Sequence, residues 1–271
     1  MTVKLLALDL DGTLVADLNS ISPRVKTAVS MAMNHGVRVV LATGREFAIT
    51  RKYARQLNIT TPLICYQGAL IQSPQEKNPL LTHTIPADLS RRVIKFAREK
   101  KLHLILYTAH QPYTELPSPL MRQTFIRAKS DFVVVNSLLN TLHDDGLPLK
   151  FLFIQPQEER EAVEKMLNAE FGAALHITSS LNIIVEGIMP HVSKGDALKY
   201  LAAHFDVPLS QTMAIGDHDN DISLLRTAGL GVAMGNASHG AKAVADVIAP
   251  PLAEDGAAWA IERYVLNGHH G

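Results

Sequence analysis

The chain reads as an α/β protein with a parallel-sheet core and an inserted α+β domain. Three observations predict this. Apolar strand-like runs alternate with amphipathic helix patterns near both ends of the chain. That alternation stops between about residues 84 and 189. Clusters of carboxylates and small residues follow directly on several of the predicted strands.

Leu5-Leu6-Ala7-Leu8 is an apolar run that ends in Asp9-Leu10-Asp11-Gly12-Thr13, the pattern of a buried strand closed by a turn. Two carboxylates at such a strand end cost stability unless something uses them. A helix follows over residues 20–36, with Ser22 as its cap, Pro23 in its first turn and Gly36 at its exit. Val25, Ala28, Val29, Ala32 and Met33 give it one apolar face. Val37–Ala42 is the second strand and leads into Thr43-Gly44-Arg45. A helix over 46–57 and a strand over Pro62–Tyr66 complete the first run.

From Ser73 the chain is turn-rich. Two or three helices are expected in the insert. One follows Pro86, with Leu89, Val93, Ile94 and Ala97 on one face; another spans 158–170, with Ala162, Val163, Met166 and Leu167 inward. The strand candidates are Leu102–Thr108, Phe132–Val135, Leu149–Ile154, Leu175–Thr178 and Ile183–Glu186. Alternation returns at 194, with a helix through Leu198, Leu201, Ala202 and Phe205, a strand at Thr212–Ile215 and a helix at Ile222–Ala228. Short strands at Gly231–Ala233 and Val247–Ile248 precede a closing helix from Asp255 to Leu266. His269 and His270 read as a frayed tail.

Composition narrows the function. The 271 residues are 47% hydrophobic and 19% charged, enough for a substantial core. No apolar stretch reaches the ~18 residues of a membrane span, and Asp9 and Asp11 interrupt any signal-peptide pattern. Lys plus Arg equal Asp plus Glu at 26 each, so the chain carries no broad footprint for nucleic acid. Cys65 is the single cysteine, which excludes an internal disulfide; it ends an apolar run and reads as a buried small hydrophobe. A soluble cytoplasmic protein is expected, with monomer or homodimer left open.

If the strands take the Rossmann-like order 3-2-1-4-5-6, the switch point falls between the Asp9 strand and the Asp217 strand. The two acidic clusters then face each other across a crevice. Carboxylates gathered there repel unless a hard cation joins them, and Mg²⁺ prefers oxygen ligands and shares its shell with substrate phosphate. Each motif also has a plain reading. Asp-x-Asp-Gly alone suits a turn with an Asx cap, Thr43 suits a helix cap, Lys194 suits a solvated helix start, and Asp217 and Asp221 suit first-turn acids.

Taken together and in order, Asp9-Leu10-Asp11-Gly12-Thr13-Leu14, Thr43-Gly44-Arg45, Ser193-Lys194-Gly195, Gly216-Asp217-His218-Asp219-Asn220-Asp221 and Gly231–Ala237 resemble the haloacid dehalogenase-like superfamily. More narrowly, the chain resembles its Cof-type (subclass IIB) phosphatases, with a core over 1–83 and 190–271 and a cap over 84–189 that closes on the crevice. The resemblance implies Mg²⁺-dependent hydrolysis of a small phosphorylated metabolite, such as a sugar phosphate, pyridoxal phosphate or flavin mononucleotide. Asp9 would be the nucleophile and form an aspartyl phosphate, and Asp11 the acid and base. Thr43 and Lys194 would hold the phosphoryl group, with Gly12, Gly44, Arg45 and Asn220 on the substrate. The metal would take the Asp9 carboxylate, the Asp11 carbonyl, Asp217 and Asp221. A phosphomannomutase-like transferase and a non-enzymatic phosphometabolite sensor are the alternatives. Two positions depart from the family pattern: Gln67 stands where asparagine is usual, and His191 where glycine is usual.

Overall fold

The computed structural model describes residues 2–16 and 20–267; His269 and His270 lie outside the described residues. The chain divides into two compact units, Met1–Leu81 with Val192–Gly271, and Thr82–His191.

In the first unit five strands pair in parallel, in the spatial order Val247–Ile248, Leu230–Ala233, Thr212–Gly216, Leu5–Leu8, Arg38–Leu41. Leu63–Cys65 continues the series beside the last of these through a parallel bridge between Ala42 and Ile64. The sequential order is therefore 3-2-1-4-5-6, with the reversal between Leu5–Leu8 and Thr212–Gly216. All four residues of Leu5–Leu8 are fully buried, as expected of a central strand covered on both faces.

The first helix runs Pro23–Asn34. The Ser22 hydroxyl accepts from the Val25 N–H at 3.2 Å, and Gly36 takes the left-handed backbone (φ +81) just past its end. Its buried stripe is Val25, Ala28, Val29 and Ala32, with Met33 only half-buried. Helices Phe47–Gln56, Lys194–His204, Ile222–Thr227 and His239–Val244 lie on the other connections between its strands. The closing helix is regular over Gly256–Ile261 and then widens into a π-type turn over Glu262–Leu266. Among the described residues no helix is long and apolar enough to cross a membrane.

The second unit is a six-stranded sheet in the order His176–Leu181, Ile184–Ile188, Lys150–Ile154, Leu104–Tyr107, Pro112–Thr114, Val133–Val134, antiparallel except for its last pair. It carries four helices, not two or three: Ala87–Glu99, Pro119–Ala128, Leu138–Asp144 and Gln157–Phe171. Pro119–Ala128 announces itself locally, since Ser118 caps it and Pro119 opens it, but it buries only Met121 and Phe125 and so has a faint apolar stripe. The expected inward face of Gln157–Phe171 is also corrected. Val163, Leu167 and Phe171 are buried at a spacing of four, which leaves Ala162 and Met166 on the exposed side. One core joins these helices to the sheet through Val93, Ile94, Leu106, Phe151, Phe153 and Val185.

Candidate active site

The site forms where Leu5–Leu8 and Thr212–Gly216 end side by side. Register pairs Leu8 with Ile215, so Asp9 and Asp217 leave the sheet at nearly the same level. Asp9 is 4% exposed, Asp217 8% and Asp221 0%, and their carboxylates each offer an oxygen within 4.8 Å of the others. Lys194, at the start of its helix and 1% exposed, donates from Nζ to Asp9 Oδ1 and to Asp221 Oδ1, both at 2.6 Å. The plain reading of Lys194 as a solvated helix start therefore does not hold.

Each acid is placed by local geometry. Asp221 Oδ2 accepts from the N–H groups of Asp217 (2.9 Å) and His218 (3.1 Å), so this carboxylate folds back over its own loop. Gly216 makes the room, because a Cβ there would lie 2.6 Å from the Asp221 carboxyl carbon. Asp217 Oδ1 accepts from the Thr13 hydroxyl at 3.1 Å, a contact spanning 204 residues that the sequence reading missed. Gly12 lets the loop after Asp9 approach Asp217: its φ is +78, and a Cβ would stand 2.1 Å from Asp217 Oδ2.

Burial first, and the Asp221 charge second, hold the Asp9 carboxyl well above the usual carboxylate range against the pull of Lys194. The same two causes raise Asp217 to about 6, opposed by the Thr13 hydrogen bond. Burial pulls the Lys194 ammonium down, but Asp221 and Asp9 more than reverse this and hold it above the ordinary lysine value.

Three carboxylates thus gather at one point, and two of them, Asp9 and Asp221, share the Lys194 ammonium. Asp9 Oδ2 and Asp217 Oδ2 accept no hydrogen bond among the described residues. A hard divalent cation suits this all-oxygen, doubly negative set. Asp221 spends both oxygens on Lys194 and on backbone N–H groups, which makes it an anchor for the ammonium.

The remaining expected residues form the rim. Thr43, 1% exposed, sits at the end of Arg38–Leu41, and its hydroxyl accepts from the Arg45 N–H at 3.1 Å. The Asp11 carboxylate lies outside the buried trio. It is half-exposed and held from two sides by Arg45, with Nε to Oδ2 at 2.7 Å and the second guanidinium nitrogen on Oδ1. Gly44 faces the Gln67 amide, and Asn220 donates from Nδ2 to Gln67 Oε1 at 3.1 Å. His191 is exposed.

A parallel α/β core that gathers buried acids and a lysine at its switch point, and carries a large inserted unit, defines a class of hydrolase built around a cation-ready acidic site. The chain belongs to the haloacid dehalogenase-like hydrolases, whose family model matches residues 6–261. It is 27% identical over 271 residues to the 5-amino-6-(5-phospho-D-ribitylamino)uracil phosphatase YitU of Bacillus subtilis, covering 96% of this chain and 97% of that one. It is similar to a solved haloacid dehalogenase-like hydrolase from Bacteroides thetaiotaomicron, with a TM-score of 0.87 and 29% identity over 97% of this chain and 99% of that one. The chain also spans about half, 46%, of a longer Arabidopsis thaliana protein, chloroplastic endoribonuclease YBEY, at 29% identity over 268 residues.

Proposed function

We propose that the protein is a Mg²⁺-dependent phosphatase of small phosphorylated metabolites that works through an aspartyl phosphate on Asp9. The observation that carries this reading is the buried arrangement of Asp9, Asp217 and Asp221 around the Lys194 ammonium at the switch point. The family membership and the phosphoribityl substrate in the name of the YitU relative support the substrate class.

Asp9, Asp217 and the Asp11 carbonyl would hold the cation, which supplies charge neutralisation to the phosphoryl oxygens and to the attacking carboxylate. Asp221, the fourth ligand expected from the sequence, is given to the Lys194 ammonium instead because both its oxygens are engaged. Lys194 fixes Asp9 in position and adds a positive charge beside it. Asp9 attacks phosphorus through a carboxylate oxygen as the bond to the leaving oxygen breaks, and Asp11 gives that oxygen its proton. To do so Asp11 exchanges Arg45 for the leaving oxygen by turning about its own side-chain bonds. In the second half Asp11 takes a proton from water, the water oxygen attacks phosphorus, and the bond from phosphorus to Asp9 breaks to release inorganic phosphate. The Thr43 hydroxyl, which accepts from the Arg45 N–H and keeps its own hydrogen to donate, stabilises the transferring group.

The test is phosphate release from a panel of sugar phosphates, pyridoxal phosphate and flavin mononucleotide, with Mg²⁺ and with chelator. Release is expected to need Mg²⁺, and Asp9→Asn is expected to lose on the order of 10⁴-fold in turnover. An Asp9→Asn protein with ordinary turnover refutes the assignment.

A further inference from the structure

The turn Tyr66–Gly68 carries a feature that the proposed chemistry does not use. Three consecutive residues take positive φ: Tyr66 at +51, Gln67 at +60 and Gly68 at +105. For Tyr66 and Gln67 this conformation is unfavourable, and such strain persists only where the surroundings impose it. Three of the site's other segments do so. The N–H groups of Tyr66 and Gln67 donate to the carbonyls of Arg45 and Thr43, both at 3.1 Å. Gly68 lies so close to the segment before Lys194 that a Cβ would stand 2.4 Å from the Ser193 carbonyl oxygen. The Gln67 side chain presses its Nε2 onto Gly44, where a Cβ would come within 2.4 Å, and its Oε1 accepts from Asn220 Nδ2 at 3.1 Å. Gln67 therefore links the Thr43-Gly44-Arg45 segment, at one strand end, to the Asp217–Asp221 loop, two strands away in the sheet.

We propose that Gln67 is a positioning residue of the phosphoryl site, which sets the Asn220 amide by accepting its hydrogen bond. The inference rests on the phosphatase reading only in taking a tetrahedral oxyanion as the ligand. With the Gln67–Asn220 bond made, the two amides keep three further N–H hydrogens, uncharged donors beside the Thr43–Gly44 turn and the acidic loop. Donors of this kind suit phosphoryl oxygens. The reach matters: asparagine at position 67 is one methylene shorter and lets go of Asn220.

The strained backbone makes the test discriminating. Asparagine tolerates the left-handed region better than glutamine, so a residue with only a structural role would improve on substitution. Gln67→Asn is expected to raise or preserve the thermal midpoint while weakening the binding of inorganic phosphate, in the presence of Mg²⁺, about fivefold by calorimetry. Asn220→Ala is expected to weaken it by a similar factor, and the double variant by no more than either single one, because both remove the same bond. Gln67→Met, of similar length without the amide, provides a second variant with the same expected loss in affinity. Single-variant factors that multiply in the double variant, or an unchanged affinity in Gln67→Asn and Gln67→Met, overturn the proposal while leaving the phosphatase reading intact. A wild-type protein that neither binds inorganic phosphate with Mg²⁺ nor releases it from any panel member overturns both.

Discussion

Replacing Lys194 by methionine keeps the apolar stem and removes the one ammonium between Asp9 and Asp221. Both hydrogen bonds are 2.6 Å, and the Lys194 side chain is fully excluded from solvent. Removing one partner of a buried ion pair costs about 3–5 kcal/mol, because the opposite charge is left in a poorly polarisable interior. Domains of 150–250 residues lose about 2–4 °C of midpoint per kcal/mol, so a drop of about 6–20 °C is expected at pH 7 in chelator. The pH dependence carries a sign. The raised pKa of Lys194 makes its contribution constant below the ordinary lysine value near 10, so wild type loses nothing from it between pH 5 and 8. In Lys194→Met the Asp9 carboxyl, already raised by burial and then by Asp221, loses its opposing charge and rises further. A carboxyl raised in the folded state destabilises above its unfolded pKa near 4 and regains stability as pH falls toward that value. The variant's own midpoint should therefore rise as pH falls from 7 toward 5, as read by calorimetric melts. A midpoint gap to wild type below about 2 °C at pH 7, or a variant midpoint that does not rise on acidification, refutes the view that Lys194 neutralises this cluster.

Gly12→Ala places a methyl 2.1 Å from Asp217 Oδ2 at φ +78 and should abolish stabilisation by Mg²⁺, whereas Gly36→Ala, at φ +81 with nothing within 4 Å, should cost about 1–2 kcal/mol of strain and keep the Mg²⁺ response; equal Mg²⁺ shifts in the two variants contradict this. Asp217 titrates at about 6 in the folded protein against 3.8 for the free side chain, so the cation-free protein should lose stability as pH rises between about 4 and 6. The midpoint gained on adding Mg²⁺ should grow as pH rises through 6, where the proton no longer competes; a Mg²⁺ shift that is constant from pH 5 to 7 counts against it. Burial pushes the Cys65 thiol up to about 12, so a thiol reagent at pH 8 should label denatured protein and leave native protein unlabelled, and stoichiometric native labelling within minutes opposes the packing described.

Much of this architecture is local chemistry and so is visible along the chain. Ser22 caps its helix through a bond three residues long, and the apolar run at Leu5–Leu8 needs only its own composition to become a buried strand. The acidic clusters stand where predicted strands end, which by itself marks Asp9, Asp217 and Asp221 as site candidates. Helix faces were less legible. Met166 fits an apolar pattern, yet its rotation is decided by whether Val163, Leu167 and Phe171 or their neighbours meet the sheet. The site's energetics lie further out of reach. The Lys194–Asp9 bond joins residues 185 positions apart and the Thr13–Asp217 bond 204. Nothing in either segment alone distinguishes a buried ammonium from a solvated one. Gln67 is the extreme case, since its left-handed backbone and its bond to Asn220 exist only because strand order brings three other segments around it. Hydrogen bonds and burial act over a few ångströms. Residue types and short-range periodicity therefore select the elements, and the order and register in which those elements pack decide which charges meet away from water.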